Sequence, residues 1–526
     1  MNTARKTAAE MPLINLVEDL ALDADCQQAC TGIAIRGLTL DSREVQPGEL
    51  FVALFGKNHD ARDYIDLALE RGAAAVLADA GGEWQGCRRV ANVPIIAVDS
   101  LRVRLGEIAA RFYAHPSEQL PVMGVTGTNG KTSCTQFIGQ ILSGLGQRCG
   151  VVGTLGYGVF PVLEDTGFTT PDPVILQAAL ADVVQQRASS VAMEVSSQGL
   201  HQHRLNGVRF HSAIFTNLTR DHLDYHGSMA AYAEAKRRLF EHDALKLGIV
   251  NADDSYAACM LNALPRSAQS LTYSLRDNRA DVHARELSFE PGGYRARVHT
   301  PWGDGDIRGR LLGSFNFSNV LAAMTAVMTL PQEWALADVL AQVELLKPVS
   351  GRMELLGDAS SDVTAVVDYA HTPDGLRSAL KAIHEHVDGR IWCVFGCGGN
   401  RDQGKRPLMA EVAEELADFV VLTDDNPRNE NPDDIVRQIL LGFNERDGVY
   451  VERDRASAIA FAIESAASGD IVLVAGKGHE SYQDIGGQRM AFSDTAQVRL
   501  ALQMRQHQAT GQASGHGQAT GHGEAS

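Results

Sequence analysis

Gly124-Val-Thr-Gly127-Thr-Asn-Gly130-Lys131-Thr132-Ser133 decides the reading of this chain. It begins inside a short apolar run, Val122–Thr126, and leads into a segment of helical pattern, Thr132–Leu145. Glycines let backbone N–H groups turn toward phosphate oxygens. A lysine neutralises charge on the β- and γ-phosphates, and a hydroxyl can bind Mg2+. The helix that follows offers its positive N-terminus. The strict GxxxxGK[ST] spacing fails, because its first glycine belongs at 125, which is Val, and Gly124 stands one position early. The GTNGKT core remains. Gly127, Thr128, Asn129, Gly130, Lys131, Thr132 and Ser133 are therefore the candidate phosphate-binding residues.

On either side of this loop, strands alternate with helices. Ser190–Val195 and His211–Asn217 read as strands and Met229–His242 as a helix. A second alternating series begins near residue 363, with strands at Thr364–Tyr369, Ile391–Phe395, Phe419–Thr423 and Ile471–Ala475. Helical patterns separate them at Asp374–His386, Pro407–Leu416, Pro432–Phe443 and Ala456–Ala467. Alternation of this kind predicts a mostly parallel sheet covered by helices. The last three of these strands run into polar or Gly-rich loops: GCGGNR, DDNPRNE and GKGHE. Loops after the carboxyl ends of parallel strands share one edge, where ligands bind. The three loops should thus face one crevice. A third unit, residues 30–115, has strands at Ile33–Leu40, Leu50–Leu54, Ala74–Ala78 and Ile95–Val98.

The chain has 526 residues, which at about 150 per domain predicts about three domains. Linkers near Pro116 and Pro348 divide it into 1–115, 116–348 and 349–505. The expected class is α/β, with a central P-loop ATPase-like parallel or mixed sheet and a Rossmann-like C-terminal domain. Residues 506–526, rich in Gln, Ala, Gly and His, have no large apolar side chain and are expected to be a disordered tail. The composition, 44% hydrophobic and 21% charged, excludes disorder throughout. Apolar runs fall far short of the roughly 20 residues of a membrane span. With 47 Lys+Arg against 65 Asp+Glu the net charge is −18, and no long basic run offers itself to nucleic acid. Eight scattered cysteines, including the pairs Cys26/Cys30 and Cys393/Cys397, lack a matching set for zinc and read as reduced thiols. No secretory signal is visible at the N-terminus, so a cytoplasmic protein is expected.

Two further segments carry chemistry. In Met193-Glu194-Val195-Ser196-Ser197, Glu194 ends a strand and could be a Mg2+ carboxylate. A lone carboxylate there is also compatible with a solvated position. Asn217-Leu-Thr-Arg-Asp221-His222-Leu-Asp224-Tyr-His226 is dense in polar residues after an apolar strand. His222 could ligate a metal or hydrogen-bond phosphate, and each residue taken alone could equally be bland.

GTNGKT, MEVSS, NLTRDHLDYHG, GRME, VDYAHTP, GCGG, DNPR and GKGHE occur in this order. The set resembles the Mur ligases, ATP-dependent amino-acid ligases of peptidoglycan precursor synthesis, over roughly residues 35–500. The resemblance is to those members that add meso-diaminopimelate to UDP-N-acetylmuramoyl-L-alanyl-D-glutamate. It implies that ATP phosphorylates the glutamate carboxylate and that an amine then displaces phosphate through a tetrahedral intermediate. Phosphorylation supplies a good leaving group, and transfer between anions needs positive compensation.

The resemblance also assigns residues. Lys131 and Thr132 fall on phosphate and Mg2+ positions, and Glu194 and His222 on metal-associated ones. Lys236 matches a lysine that is carbamylated in this family; by its own pattern it is a solvated helix residue. Arg352, Asp368 and His371 match residues that close over the nucleotide. Leu40, Ser42, Lys57, Asn58 and His59 match the uridine site. Thr169, Thr170, Ser196, Gln202 and Arg204 match contacts to the muramoyl dipeptide, with Phe168 departing from a relative's Asn. Arg401, Asp425, Asn426, Pro427, Arg428, Gly476 and Glu480 match the diaminopimelate site. Arg428 would pair with the carboxylate that lysine lacks, and Glu480 would take an ammonium. The implied partners are small molecules, the cofactor Mg2+ and the substrate ATP, and the chain is expected to act as a monomer. The alternatives are a lysine-adding ligase, a folylpolyglutamate synthetase-like enzyme, a nucleotide-dependent switch without ligase activity, and a UDP-sugar-binding protein.

Overall fold

The protein is described by a computed structural model, which covers residues 10–56, 59–164, 167–290, 293–357, 361–386 and 389–515, with side chains through His507. The expected α/β class is what it has, in three large sheets and two two-stranded ones among the described residues. The first sheet has five strands in the order Gly37–Thr39, Glu49–Ala53, Ala75–Asp79, Val93–Val98 and Cys87–Val90. All neighbours are parallel except the last pair. The predicted strand Ile33–Leu40 is broken into Ala34–Ile35 and Gly37–Thr39, which join different sheets.

The second sheet has ten strands. Val122–Thr126 lies at its centre, parallel to Ser190–Glu194 on one side and to Phe210–Phe215 on the other. Five of its strands beyond these continue through Leu247–Asn251 and Gln269–Ser274 to an antiparallel edge, Val282–Glu290, Gly293–Thr300 and Gly303–Gly309. Sequence patterning had not revealed that edge. One of its faces is open to solvent, so Gly293–Thr300 alternates buried and exposed positions. The phosphate-loop helix, Lys131–Gly144, is buried on most sides and joins Phe317, Val320 and Met324 in one core.

The third sheet runs Glu354–Leu356, Thr364–Asp368, Ile471–Ala475, Ile391–Phe395, Phe419–Leu422 and Val449–Val451. Only the first pair is antiparallel. The loops after Ile391–Phe395, Phe419–Leu422 and Ile471–Ala475 therefore leave one edge together, as parallel topology requires.

Two local differences from expectation have physical causes. The helix that starts with Ser228, whose hydroxyl accepts from Ala231 N at 3.2 Å, ends at Arg237 rather than 242 and tightens into a 3-10 turn, Arg238–Glu241. The last helix, Asp494–Gly515, runs across the 505/506 boundary. Arg505 grips Asp362 at 2.6 Å and Gln506 Nε2 donates to Ser361 Oγ at 3.0 Å, so the expected tail does not start at 506. Residues 516–526 lie outside the described residues.

Candidate active site

The phosphate loop is built on close backbone approach. Gly127 has φ +157° and Gly130 φ +86°. A Cβ on Gly130 would stand 2.4 Å from Asn319 Oδ1, so only glycine fits. Gly124 has a different task. It sits within the strand, where a Cβ would meet the Phe210 ring at 2.8 Å. The glycine one position early is thus a packing residue, which explains the imperfect loop spacing. Asn217 stabilises the loop from the neighbouring strand's end, its Oδ1 accepting from Asn129 N at 2.9 Å.

Glu194 is buried at the end of the adjacent strand. Its carboxylate accepts from Thr132 Oγ1 at 3.0 Å, Thr154 N at 2.9 Å and Thr154 Oγ1 at 3.1 Å. Hydroxyl and carboxylate oxygens are hard donors of the kind Mg2+ takes, so Thr132 and Glu194 fit such an ion. Among the described residues, no three His, Cys, Asp or Glu side chains come together as a metal-ligand cluster. His222, also expected near metal, lies beside Asp221, Nε2 to Oδ2 3.4 Å.

Lys131 and Lys236 share one acceptor on the loop, the Gly127 carbonyl. Lys131 Nζ donates to the Gly127 and Thr128 carbonyls, both at 2.8 Å. Lys236 Nζ donates to Gly127 O at 2.6 Å and lies 4.6 Å from the Tyr232 ring centre. Burial and the neighbouring Lys131 push the Lys236 ammonium well below its ordinary range. Burial likewise lowers Lys131, against the attraction of Glu194 and Asp221. Burial opposes the charge on Asp221, but His222, His371 and Lys405 together hold its carboxyl below the usual range.

The third domain reaches this loop. Arg352 Nη2 donates to Thr132 Oγ1 at 3.4 Å and its guanidinium lies 4.3 Å from the Tyr369 ring centre. Asp368 accepts from Met353 N at 2.7 Å, and burial raises its pKa against the pull of Arg352. His371 Nδ1 lies 2.8 Å from the Tyr369 carbonyl; burial, then Lys405, lower its pKa to about 4. Lys405 Nζ donates to the His371 carbonyl at 2.7 Å, and Asp402 meets Arg220 of the second domain at 3.8 Å.

A cavity of about 170 Å3 lies between Leu40, Leu54 and Arg102 of the first domain and Phe168, Gln202 and Arg204 of the second. Arg204 grips Gln202 Oε1 at 2.7 Å and the Thr170 carbonyl at 2.7 Å. Thr169 Oγ1 lies 3.0 Å from Thr154 Oγ1, Thr170 Oγ1 donates to Glu194 O, and Ser196 caps the short helix Ser197–His201. Ser42 is buried and His59 exposed; neither lines the cavity. Lys57 and Asn58 lie outside the described residues.

The three loops of the third sheet interlock. A Cβ on Gly398 would lie 2.9 Å from Arg428 Nη1 and 4.0 Å from Arg401 Cγ, so both arginines flank that glycine. Arg428 takes φ +52° and donates to Gly399 O at 2.8 Å. Gly399 N donates to Asn426 O at 2.9 Å, and the Asp425 carboxylate lies against Gly476. Pro427 joins by its carbonyl, 2.0 Å from where a Cβ on Gly399 would stand. Glu480 accepts from Asn426 Nδ2 at 2.8 Å and Lys477 Nζ at 2.9 Å.

Sequence reasoning had not assigned Thr154, Arg102, Lys405 or Lys477 to a site. Lys477 stood within the GKGHE motif, and that position was a usable signal. Thr154 and Arg102 come to the site through tertiary packing, which no local pattern marks.

Comparison with known proteins gives matches over most of the chain. Residues 34–113 match the Mur ligase family catalytic domain, 125–327 the Mur ligase middle domain, and 351–478 the Mur ligase glutamate ligase domain. The UDP-N-acetylmuramoyl-L-alanyl-D-glutamate–2,6-diaminopimelate ligase of Pseudomonas syringae pv. tomato is 49% identical over 468 residues, 89% of this chain and 95% of that protein. The protein of the same name from Coxiella burnetii is 46% identical over 485 residues, 91% of this chain and 98% of its own length. A solved structure of a ligase of that name has a TM-score of 0.68 and 38% identity, covering 95% of this chain and 100% of its own.

Proposed function

This chain belongs to the Mur ligase family, and from that premise we propose how its residues divide the work of one reaction. It is an ATP-dependent ligase that adds diaminopimelate to UDP-N-acetylmuramoyl-L-alanyl-D-glutamate in peptidoglycan synthesis. The glutamate carboxylate oxygen attacks the γ-phosphorus of ATP and ADP leaves. The acceptor amine, having lost a proton, then attacks the acyl carbon and phosphate leaves. Residues 127–133 cradle the phosphates, with Lys131 the point charge on the transferred group. Mg2+ held by Thr132 and Glu194 would supply further positive charge there. Arg352, Asp368 and His371 bring the third domain to the nucleotide.

The low proton affinity of Lys236 supports its carbamylation, since only a neutral amine attacks CO2. The carbamate would replace a cation by an anion beside Lys131. We assign the cavity containing Leu40, Gln202 and Arg204 to the nucleotide-sugar dipeptide, and Arg401, Asp425, Arg428 and Glu480 to diaminopimelate in its meso form. We assign the reaction to the cytoplasm, where ATP is available.

The observation that carries this reading is the contact of Arg352 with Thr132, 3.4 Å, which sets the acceptor domain against the phosphate loop. The test is phosphate release from ATP and Mg2+ with the UDP-sugar dipeptide and either meso-diaminopimelate or L-lysine. Release should require the dipeptide and strongly prefer diaminopimelate. Preference for lysine would overturn the role of Arg428. Release indifferent to both acceptors would favour a nucleotide switch.

A further inference from the structure

Lys477 is fully buried, its side chain 0% exposed, directly under the loops assigned to the acceptor amino acid. Its ammonium has three N–H donors. One goes to Asn426 Oδ1 at 3.0 Å and another to Glu480 Oε2 at 2.9 Å. Asn426 Oδ1 also accepts from Asp484 N at 2.9 Å, which fixes the orientation of that amide. Asn426 Nδ2 is thereby turned to donate to Glu480 Oε2 at 2.8 Å. Both donors hold the same carboxylate oxygen. Among the described residues, Glu480 Oε1 accepts no hydrogen bond.

We propose that Lys477 is a positioning and specificity-determining residue, which holds Glu480 so that Oε1 meets the ammonium of the acceptor while offsetting one negative charge of the pocket. The inference rests on the ligase reading and deepens it. Among the residues assigned to the acceptor, two carboxylates, Asp425 and Glu480, balance two arginines, Arg401 and Arg428, and the buried ammonium adds one positive charge to that set. Diaminopimelate carries two ammonium and two carboxylate groups and is neutral overall. Lysine lacks one carboxylate and carries a net positive charge. A buried cation is weakly screened, so Lys477 disfavours lysine beyond the missing contact to Arg428. A buried pair is also sensitive to loss of one partner, because the other is left uncompensated.

The experiment measures KM for diaminopimelate, L-lysine and ATP in the full-length enzyme and in Lys477→Met. KM for diaminopimelate should rise about tenfold or more, the scale of a charged hydrogen bond, while KM for ATP stays within about twofold. Preference for diaminopimelate over lysine should fall by about tenfold as well. Adding Lys477→Met to Glu480→Gln should not raise KM for diaminopimelate further, because the lysine makes that contribution through the carboxylate. Lys477→Gln, which keeps a donor without the charge, covers the case in which the methionine variant does not fold. An unchanged KM for diaminopimelate, an unchanged preference, or additive effects in the double variant would each overturn the assignment. A parent enzyme with no acceptor-dependent phosphate release would instead overturn the ligase reading itself.

Discussion

Lys236 Nζ donates to the carbonyl of Gly127 at 2.6 Å, tying the helix Met229–Arg237 to the phosphate loop. This single contact places a buried amine beside Lys131 at the point where phosphate charge must be managed. Burial lowers the proton affinity of both amines, and the nearby Lys131 lowers that of Lys236 further. Replacing Lys236 by Ala removes the amine and with it any carbamate. Lys236→Ala is expected to be nearly inactive and partly rescued by added short carboxylic acids, which can occupy the vacated volume as anions. Labelled bicarbonate should give a carbamate carbon signal in the parent and none in the variant. Full activity of Lys236→Ala without any additive would refute the role.

Arg428→Ala is expected to lower kcat/KM for diaminopimelate by roughly 10- to 150-fold, the range for loss of one charged hydrogen bond. KM for ATP should not move, because Arg428 contacts the Gly399 carbonyl and the Asp484 backbone rather than the phosphate loop. Its φ of +52° costs Ala no more than Arg, because both carry a Cβ, so the substitution removes the guanidinium without adding backbone strain. Arg428→Lys, which keeps the charge but not the fork of donors, separates loss of charge from loss of bidentate geometry. Equal kcat/KM in parent and Arg428→Ala would sink the assignment.

The reach of sequence reading followed the range of the interactions involved. Val122–Thr126 and Ile471–Ala475 were legible because parallel strands buried on both faces read as continuous apolar runs. The antiparallel strands from Val282 to Gly309 were not, because half of their residues face solvent and charged side chains interrupt the pattern. Within the site, Lys131 and Thr132 announced themselves by local spacing. Lys236 did not, since its charged neighbours Glu234, Arg237 and Arg238 make the segment look like any solvated helix end, and its partner is the distant Gly127 carbonyl. Arg102 and Thr154 were illegible for the same reason: what they touch is 47 and 40 positions away in sequence.

The pH dependence of stability should carry the mark of His371. Burial, reinforced by Lys405, lowers its pKa from the usual 6.5 to about 4. Between those values the unfolded chain binds a proton that the folded chain does not. Stability must therefore fall as pH drops from about 6.5 to about 4, and for this group must be flat above that window. Thermal unfolding of the nucleotide-free protein across the window should show a shallower slope in His371→Gln than in the parent. His226, which burial lowers to about 4, should retain its share of the slope. Identical slopes would show that His371 is protonated in the folded state.

Asp494 and Arg455 form an ion pair in which both side chains are 0% exposed. Arg455 Nε and Nη2 meet the two carboxylate oxygens at 2.7 Å each, and Nη2 also donates to the Ala475 carbonyl at 2.9 Å. Ala475 is the residue before Gly476, so the start of the last helix holds the strand end that launches the GKGHE loop. Asp494→Ala leaves a guanidinium buried without its counter-ion, for which about 3–5 kcal/mol is the expected loss. Denaturant unfolding should show that loss. Replacing both residues by apolar ones of similar volume, Arg455→Met with Asp494→Leu, should recover much of it, because the cost is that of an unpaired buried charge. KM for diaminopimelate should still rise in the double variant, since the Ala475 carbonyl has lost its donor. A double variant as unstable as Asp494→Ala would show that the pair contributes stability of its own. An unchanged KM would show that the loop is held from elsewhere.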